Sequence, residues 1–556
     1  MTDTKVDESQ DFEQMAIRKA KRLKLVDSAD LATGAYPVKL PITAQIDDVR
    51  AKYADLEPTA ETQDIVGVAG RVVFLRDAGK LNFVMLQSGT GERLQVMLNA
   101  RELVKHDGVL DEDKVNGAGV ELDDGGQSLK AFKRTVDLGD HLFAVGKVIS
   151  SKTGELSVMA SDWQLASKAL RPLPVLHKEL NEESRVRRRY VDLIARQDAR
   201  DMVRTRAKVV KSLRKNFDDR GFLELETPML QTIHGGAAAR PFTTHINAFD
   251  IDLFLRIAPE LYLKRAVVGG VEKVFEINRN FRNEGADSSH SPEFAMLEAY
   301  EAYGDYNSIG ELTKNLIQQA ALDTFGSLVV NFSDENGNTT EYSFEDSEWS
   351  DITMYGSLSL ALAQNGAKIG GKPATDETNN NPVTPKTSVQ ELLELAKQAG
   401  LEKDVLGKDE NGRPLPPPSH GKLVELLWEH YVGDYLYKPT FVRDFPVETS
   451  PLVRGHRTTA GLVEKWDLYV RGFELATGYS ELVDPVIQRE RLVAQSKAAA
   501  AGDDEAMPFD EDFLEALEYG MPPTGGMGMG LDRLLMALTG RGIRETITFP
   551  LVKPTV

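Results

Sequence analysis

The 556 residues contain no cysteine, which excludes disulfides, thiolate metal sites and cysteine nucleophiles. No apolar run reaches the roughly 18 residues that a membrane span requires. The opening MTDTKVDESQDFEQ is acidic and lacks the apolar core of a secretory signal. A cytoplasmic protein with no membrane partner is therefore expected. Excess positive charge is also missing. A formal net charge of −20 argues against indiscriminate nucleic-acid binding while leaving room for a local basic surface. What is present, 41% hydrophobic and 27% charged residues, is the balance of a globular chain, and its length predicts about three or four domain-sized units.

Residues 1–61 carry one basic helical patch, MAIRKAKRLKL, with Arg18, Lys19, Lys21, Arg22 and Lys24. Between Asp64 and about Leu165 the pattern changes to IVGVAGRVVFL, LNFVMLQ, ERLQVML, DHLFAVGKVIS and GELSVMASDWQL. Five alternating runs joined by glycine-containing turns predict a small closed barrel. A proline-bearing stretch, SKALRPLPVLHKELNEE, reads as a linker. The arginine-rich segment after it has apolar residues at helical spacing, among them Val203, Val210 and Leu213. From there an α/β region runs to GMGMGLDRLLMALTG, interrupted at about 331–420 by glycine-, asparagine- and proline-rich tracts flanking SVQELLELAKQAG. That interruption is expected to be an insertion with mobile loops.

Two stock nucleotide motifs fail. GAKIGGKP has proline where a P-loop needs Ser or Thr, and GGMGMGLDR breaks the G-x-G-x-x-G spacing. KVFEINRNFRNEG is more informative. As a strand it puts Phe275, Ile277 and Phe281 on one face and Glu276, Asn278, Asn280, Arg282 and Glu284 on the other. PEFAMLEAYEAY reads as the returning strand, with Phe294, Met296, Glu298 and Tyr300 on one face. The pair is either an exposed hairpin with cross-strand charges or a site for a planar base plus charged groups. A second hairpin, WDLYVRGFELATGYSEL, turning at Arg471-Gly472, puts Asp467 and Glu474 on neighbouring strands, where they could share magnesium. Thr477, Tyr479 and Glu481 share one face of its second strand. GMGMGLDR reads as a glycine-dense approach to a helix, either an ordinary tight turn or a presentation of Arg533 to a polyphosphate.

Three tracts resemble the signature motifs of class II aminoacyl-tRNA synthetases, in order: ETPML around Pro228, FRNEG followed by HSPEF, and GMGMGLDR. GGAAARPF, LRIAPELYLKR and VFEINRNFRNEG are more similar to the lysyl branch than to its aspartyl and asparaginyl relatives. The resemblance implies an α+β multidomain chain with an N-terminal OB-fold β-barrel and a catalytic domain built on a mainly antiparallel sheet flanked by helices. The implied layout is an N-terminal extension at 1–61, an anticodon-binding OB-fold at 62–170, a linker at 171–195 and the catalytic domain at 196–556. It also implies a homodimer through the region around Pro228, ATP and L-lysine as substrates, tRNA(Lys) as acceptor, and up to three Mg2+ ions per subunit.

By the same resemblance, Arg282 bridges the lysine carboxylate and the α-phosphate, Glu284 holds the adenine amino group and Phe294 stacks on the base. Arg533 grips the γ-phosphate, and Asp467 and Glu474 carry metal, the latter beside ATP. Gly236 and Glu260 receive the α-amino group. Glu298, Tyr300 and Glu481 receive the side-chain ammonium, with Thr477 and Tyr479 beside them. A buried cation needs such carboxylates, because desolvating it unpaired costs several kcal/mol or more. In the barrel, Phe83, Gln95 and Glu155, with Arg71 nearby, match positions that read anticodon bases; Phe83 taken alone reads as core. The early basic helix and the arginines from Arg185 to Lys215 become candidates for tRNA backbone contact. The chain departs from the family pattern at Thr477, where asparagine is common, at Asp467, where glutamate is, and at Ser289, where an arginine is expected. The readings to be separated are a lysine-tRNA ligase, a catalytically inactive RNA-binding relative, and a lysyltransferase with a non-tRNA acceptor.

Overall fold

The computed structural model describes residues 3–27, 36–103, 126–174, 181–287, 290–333, 339–378, 380–405, 418–500 and 507–554. They form two compact units, Met1–Arg200 and Asp201–Val556. Among the described residues no helix is long and apolar enough to cross a membrane.

The first unit begins with helix α1 (Asp3–Asp27) and contains β1 (Glu61–Asp77), β2 (Leu81–Gln87), β3 (Arg93–Asn99), β4 (His141–Ser150) and β5 (Leu156–Ser167). These strands close into a barrel in the order β1-β2-β3-β5-β4, with the parallel β3–β5 pair completing it. All five expected strands are present. Period-two alternation fills the barrel: Val84, Leu86, Leu94, Val96 and Leu98 are fully buried, while Phe83, Met85, Gln95 and Met97 between them are half-buried. The basic patch of α1 is partly consumed internally, so it is not wholly a solvated helix face. Arg18 is buried and donates to the carbonyls of Leu138, Ala169 and Arg171, and Lys21 pairs with Asp137 at 2.6 Å. Lys19 and Lys24 stay exposed. Within 171–195, residues Glu182–Arg187 and Arg189–Ala195 are helical.

The second unit is organised by an eight-stranded sheet. Its strands are β6 (Leu223–Glu224), β7 (Lys273–Phe281), β8 (Glu293–Ala302), β9 (Ser350–Thr353), β10 (Thr440–Pro446), β11 (Leu462–Val470), β12 (Phe473–Ser480) and β13 (Thr524–Gly530). They run β9-β10-β11-β12-β13-β8-β7-β6, antiparallel except at the two edge pairs. One face packs against helices α2 (Gln197–Asp219), α4 (Tyr306–Phe325) and α8 (Leu531–Thr539) through Phe217, Phe275, Leu297, Leu316, Trp466, Met527, Met529 and Leu535. The short helix α3 (Glu260–Val268) precedes β7. This is the α+β arrangement expected.

The glycine-dense GMGMG is a strand, not a turn. Alternation sends Met527 and Met529 into the core and turns Gly526, Gly528 and Gly530 to the opposite face. The tract expected to be an insertion with mobile loops about a helical SVQELLELAKQAG has that helix and, over its described residues, is part of a folded layer. Helices α5 (Met354–Gln364), α6 (Val389–Gln398) and α7 (His420–Tyr431) bury Leu358, Leu392, Leu395, Leu423 and Trp428 together with Val442 and Val463 of the sheet. The capping box of Ser388 and Glu391 starts α6, and its apolar stripe drives the packing. Residues 334–338, 379 and 406–417 of that tract lie outside the described residues.

Candidate active site

The sheet face opposite the core carries the polar residues. β7 and β8 pair with Glu276 opposite Glu298 and Asn280 opposite Phe294, so the expected faces coincide. The ladder ends at Phe281, however, and not at Glu284. Arg282 N donates to Pro292 O (2.9 Å) and Asn283 N to Arg240 O (2.8 Å), which draws the chain out of the strand and against the GGAAARPF segment. Glu284 is exposed there and accepts from Arg240 N at 3.4 Å. Ser289 lies outside the described residues.

The second hairpin turns where expected. Arg471 and Gly472 both have positive φ, 55° and 80°, as a two-residue turn demands, and Val470 pairs with Phe473. The register then slips: Tyr469 pairs with Glu474, but Leu468 pairs with Ala476 and Asp467 with Thr477. The extra residue, Leu475, is a β-bulge. Strict alternation would set Glu474 on the face opposite Thr477, Tyr479 and Glu481; the bulge brings all four to one side, with Lys465 and Asp467.

β13 crosses between the two hairpins, Gly528 lying between Glu298 and Thr477 and Gly526 between Tyr300 and Tyr479. A Cβ on Gly526 would collide with Glu481 Oε1 and stand 2.6 Å from Tyr300 Cε1. The glycines thus leave room for a cavity of about 430 Å3 lined by Gly236, Glu260, Arg282, Glu298, Tyr300, Glu474, Thr477 and Tyr479. Gly236 has φ of 84°, and a Cβ there would lie 2.9 Å from that of Glu260, so glycine is required.

At the closed end Glu260, Glu298 and Glu481 are all buried. Tyr300 Oη donates to Glu298 Oε2 at 3.1 Å, and Tyr479 Oη to Glu260 Oε2 at 3.4 Å. Burial, reinforced by Glu260, pushes the Glu298 carboxyl up to about 8. Burial also raises Glu481, which sits behind the cavity wall and pairs with Lys264 at 2.5 Å. Burial and the surrounding carboxylates keep both phenols protonated. The pocket is a cage of carboxyls whose tyrosines donate.

At the open end the Arg282 guanidinium lies 5.0 Å from the centre of the Phe294 ring, and its Nε has no hydrogen-bonding partner. Burial lowers its pKa, Glu284, Glu474 and Glu298 oppose that, and Arg533 adds to it, so these five charges share one field. Arg533 Nη1 donates to Glu474 O at 2.7 Å. The preceding Asp532 is structural: it accepts from Ala295 N at 2.8 Å and pairs with Arg206, fixing α8 against β8. Glu474 is raised by burial and by Asp467. Asp467 Oδ1 is buried without a hydrogen-bonding partner, while Oδ2 faces Lys465 Nζ at 3.0 Å. Two carboxylates of which one oxygen is unsatisfied fit Mg2+, an ion that takes one or two protein carboxylates and fills its remaining positions with phosphate and water.

In the barrel, Arg71 faces Gln87 across β1–β2, and Phe83, Met85 and Gln95 share the outer face; Phe83 is not part of the core. Arg76 lies 5.8 Å from its ring, and Gln95 donates to Ser157 Oγ at 2.8 Å. Glu155 pairs with Arg50 at 3.4 Å, and Arg71 donates to Gly139 O. The arginine run is largely committed: Arg189 and Arg196 to Asp192, Arg206 to Asp532 and Arg214 to Glu224.

Sequence reasoning missed Lys264, Lys465, Lys422 and Glu425, all at or beside the cavity. Lys264 is one helical turn after Glu260, and Lys465 is two residues before Asp467 on the same strand face, so spacing held both signals. Glu425 lies on α7, just beyond the supposed insertion, and had none.

Residues 66–166 match the OB-fold nucleic acid binding domain, and residues 181–553 match the class II tRNA synthetases (D, K and N). With its antiparallel sheet and the cleft on its open face, the chain belongs to that class II family. It is 59% identical over 544 residues to the lysine–tRNA ligase of Kineococcus radiotolerans, covering 98% of this chain and 97% of that protein. It is 55% identical to the lysine–tRNA ligase of Mycolicibacterium gilvum (97% of each) and 54% identical to that of Mycobacterium bovis (98% and 97%).

Proposed function

We propose that the chain is a lysine–tRNA ligase: it activates L-lysine with ATP to lysyl-adenylate and transfers the lysyl group to the 3′ end of tRNA(Lys). The observation that carries this reading is the buried cage of Glu260, Glu298 and Glu481 with Tyr300 and Tyr479, closed at one end and opening towards Arg282. A lysine side chain reaches the closed end with its ammonium among carboxylates, Glu260 and Gly236 take the α-amino group, and the carboxylate emerges at Arg282 and Thr477. Arg282 then screens the repulsion between that carboxylate and the α-phosphate it attacks. The carbon–oxygen–phosphorus linkage forms as pyrophosphate leaves, with no protein nucleophile. Glu284 accepts from the adenine amino group, Phe294 offers its ring to the base, and Arg533 meets the γ-phosphate.

Asp467 and Glu474 would hold Mg2+, which supplies charge neutralisation on the phosphates when bound. The outer face bearing Phe83, Gln95, Glu155 and Arg71 suits unstacked anticodon bases, with the aromatic as stacking platform. Leu223, Met229 and Leu230, around Pro228 in the sequence, are exposed large apolar side chains of the kind a homodimer would cover. A catalytically inactive relative would have no need of Arg282, Glu284, Glu474 and Arg533 in one field. The test is amino-acid-dependent exchange of labelled pyrophosphate into ATP across all twenty amino acids. Lysine alone is expected to support exchange; a lysine signal no greater than the others overturns the reading.

A further inference from the structure

The carboxyl cage contains a cation of its own. Lys264 is fully buried, its Nζ 2.5 Å from Glu260 Oε1 and 2.5 Å from Glu481 Oε2. Its place one turn after Glu260 in α3 puts the ammonium directly beside that carboxylate. Burial opposes its charge, but Glu260 and Glu481 outweigh burial and hold it protonated. Lys264 engages one oxygen of each carboxylate. The second oxygen of Glu260 meets only the Tyr479 hydroxyl at 3.4 Å, and Oε1 of Glu481 has no hydrogen-bonding partner. The acceptor on Glu260 faces the cavity and is left for a ligand, while Oε1 of Glu481 lies against Gly526 behind the cavity wall and adds its charge from there.

The charges also match in number. With ligand bound, Glu260, Glu298 and Glu481 contribute three negative charges and Lys264 one positive, leaving two. Lysine brings two ammonium groups to the cage and leaves its carboxylate to Arg282. We infer that Lys264 is a positioning residue that sets the pocket's specificity for a diamino acid, by aligning Glu260 and Glu481 and cancelling the one carboxylate charge that the ligand does not. This rests on the lysine reading of the site. The ammonium itself stays behind the substrate and takes no part in the chemistry.

The test is lysine binding by calorimetry, with ATP KM measured alongside, for the parent full-length chain, Lys264→Met, Glu481→Gln and the double variant. Lys264→Met is expected to weaken lysine binding by about 30-fold or more while ATP KM moves less than about twofold. Adding Glu481→Gln to it restores the charge balance and should recover about tenfold of that loss. A lysine Kd in Lys264→Met within about threefold of the parent, or a double variant no tighter than Lys264→Met, overturns the inference. If Lys264→Met does not fold, Glu481→Gln and the double variant decide the matter. Glu481→Gln alone leaves one net negative charge for two ammoniums, so the double variant should bind lysine at least about threefold more tightly, and equal or weaker binding overturns the inference. A parent chain that does not bind lysine at all would instead overturn the lysine reading, which keeps the two failures distinct.

Discussion

Binding of lysine should expel a proton from Glu298. In the free pocket this carboxyl is buried, accepts only the Tyr300 hydroxyl at 3.1 Å, and is pushed up to about 8 by burial, with Glu260 and Glu276 raising it further and Arg282 opposing them. At pH 7 a group with that pKa is about 90% protonated, and at pH 8 about half. A substrate ammonium seated against it favours the ionised form and pulls the pKa back towards the ordinary carboxylate range. Each lysine bound at pH 7 should therefore release about 0.9 proton from Glu298, and ionisation of this group by itself should lower lysine Kd about 50-fold between pH 6 and pH 8. The stability sign is the opposite. A carboxyl whose folded pKa lies above its unfolded value stabilises the free protein most below about pH 4.5, and this contribution is lost as pH rises through about 8. The cost of ionising Glu298 reaches about 5 kcal/mol, and bound lysine offsets it. Lysine titrations at pH 7 in buffers of different ionisation enthalpy measure the released proton directly, with Glu298→Gln as control. An apparent enthalpy that does not depend on the buffer, or a proton release that Glu298→Gln does not reduce, would refute the reasoning; Glu481, raised likewise by burial, accounts for any release that remains.

Three further outcomes follow from the geometry. Gly526→Ala should raise lysine KM by at least about tenfold with little change for ATP, because its Cβ collides with Glu481 and crowds Tyr300; an unchanged lysine KM would mean that this face yields to a methyl group. Arg282→Ala should abolish lysine-dependent pyrophosphate exchange, by about a thousandfold or more, while circular dichroism stays that of the parent; loss of the folded signal instead would return Arg282 to a structural role. Phe83→Ala, on the outer barrel face, should cost less than about 1 kcal/mol of stability yet blunt the response of charging to anticodon substitutions; an unchanged response would remove Phe83 from base recognition.

Much of the architecture could be read in one dimension because side-chain period is a local property. Alternation in LNFVMLQ and ERLQVML separates Val84, Leu86, Leu94 and Val96 from Phe83 and Gln95, and the folded barrel keeps that separation. The same rule grouped Phe294, Met296, Glu298 and Tyr300, and the turn supposed at Arg471-Gly472 is the one the chain makes, with both residues at positive φ. Period-two reasoning could not see the bulge at Leu475, since whether an extra residue is absorbed depends on the neighbouring strand's register. Without that slip Glu474 would face the core and leave Asp467 without a second carboxylate. Nor could it see that GMGMG is a central strand, because glycines carry no alternation of their own; what makes them a cavity floor is their place between Glu298 and Thr477. The sequence by itself thus determined the barrel and the two polar hairpins, for which local pattern suffices, while the roles of the cage residues, Glu260 above all, came from the family resemblance. The tertiary structure alone decided that α5, α6 and α7 form a packed layer, that Arg18 is spent inside the first unit, and that Lys264 stands between Glu260 and Glu481. Each of these depends on contacts between residues tens to hundreds of positions apart, where burial and charge neutralisation, and not local propensity, set the outcome.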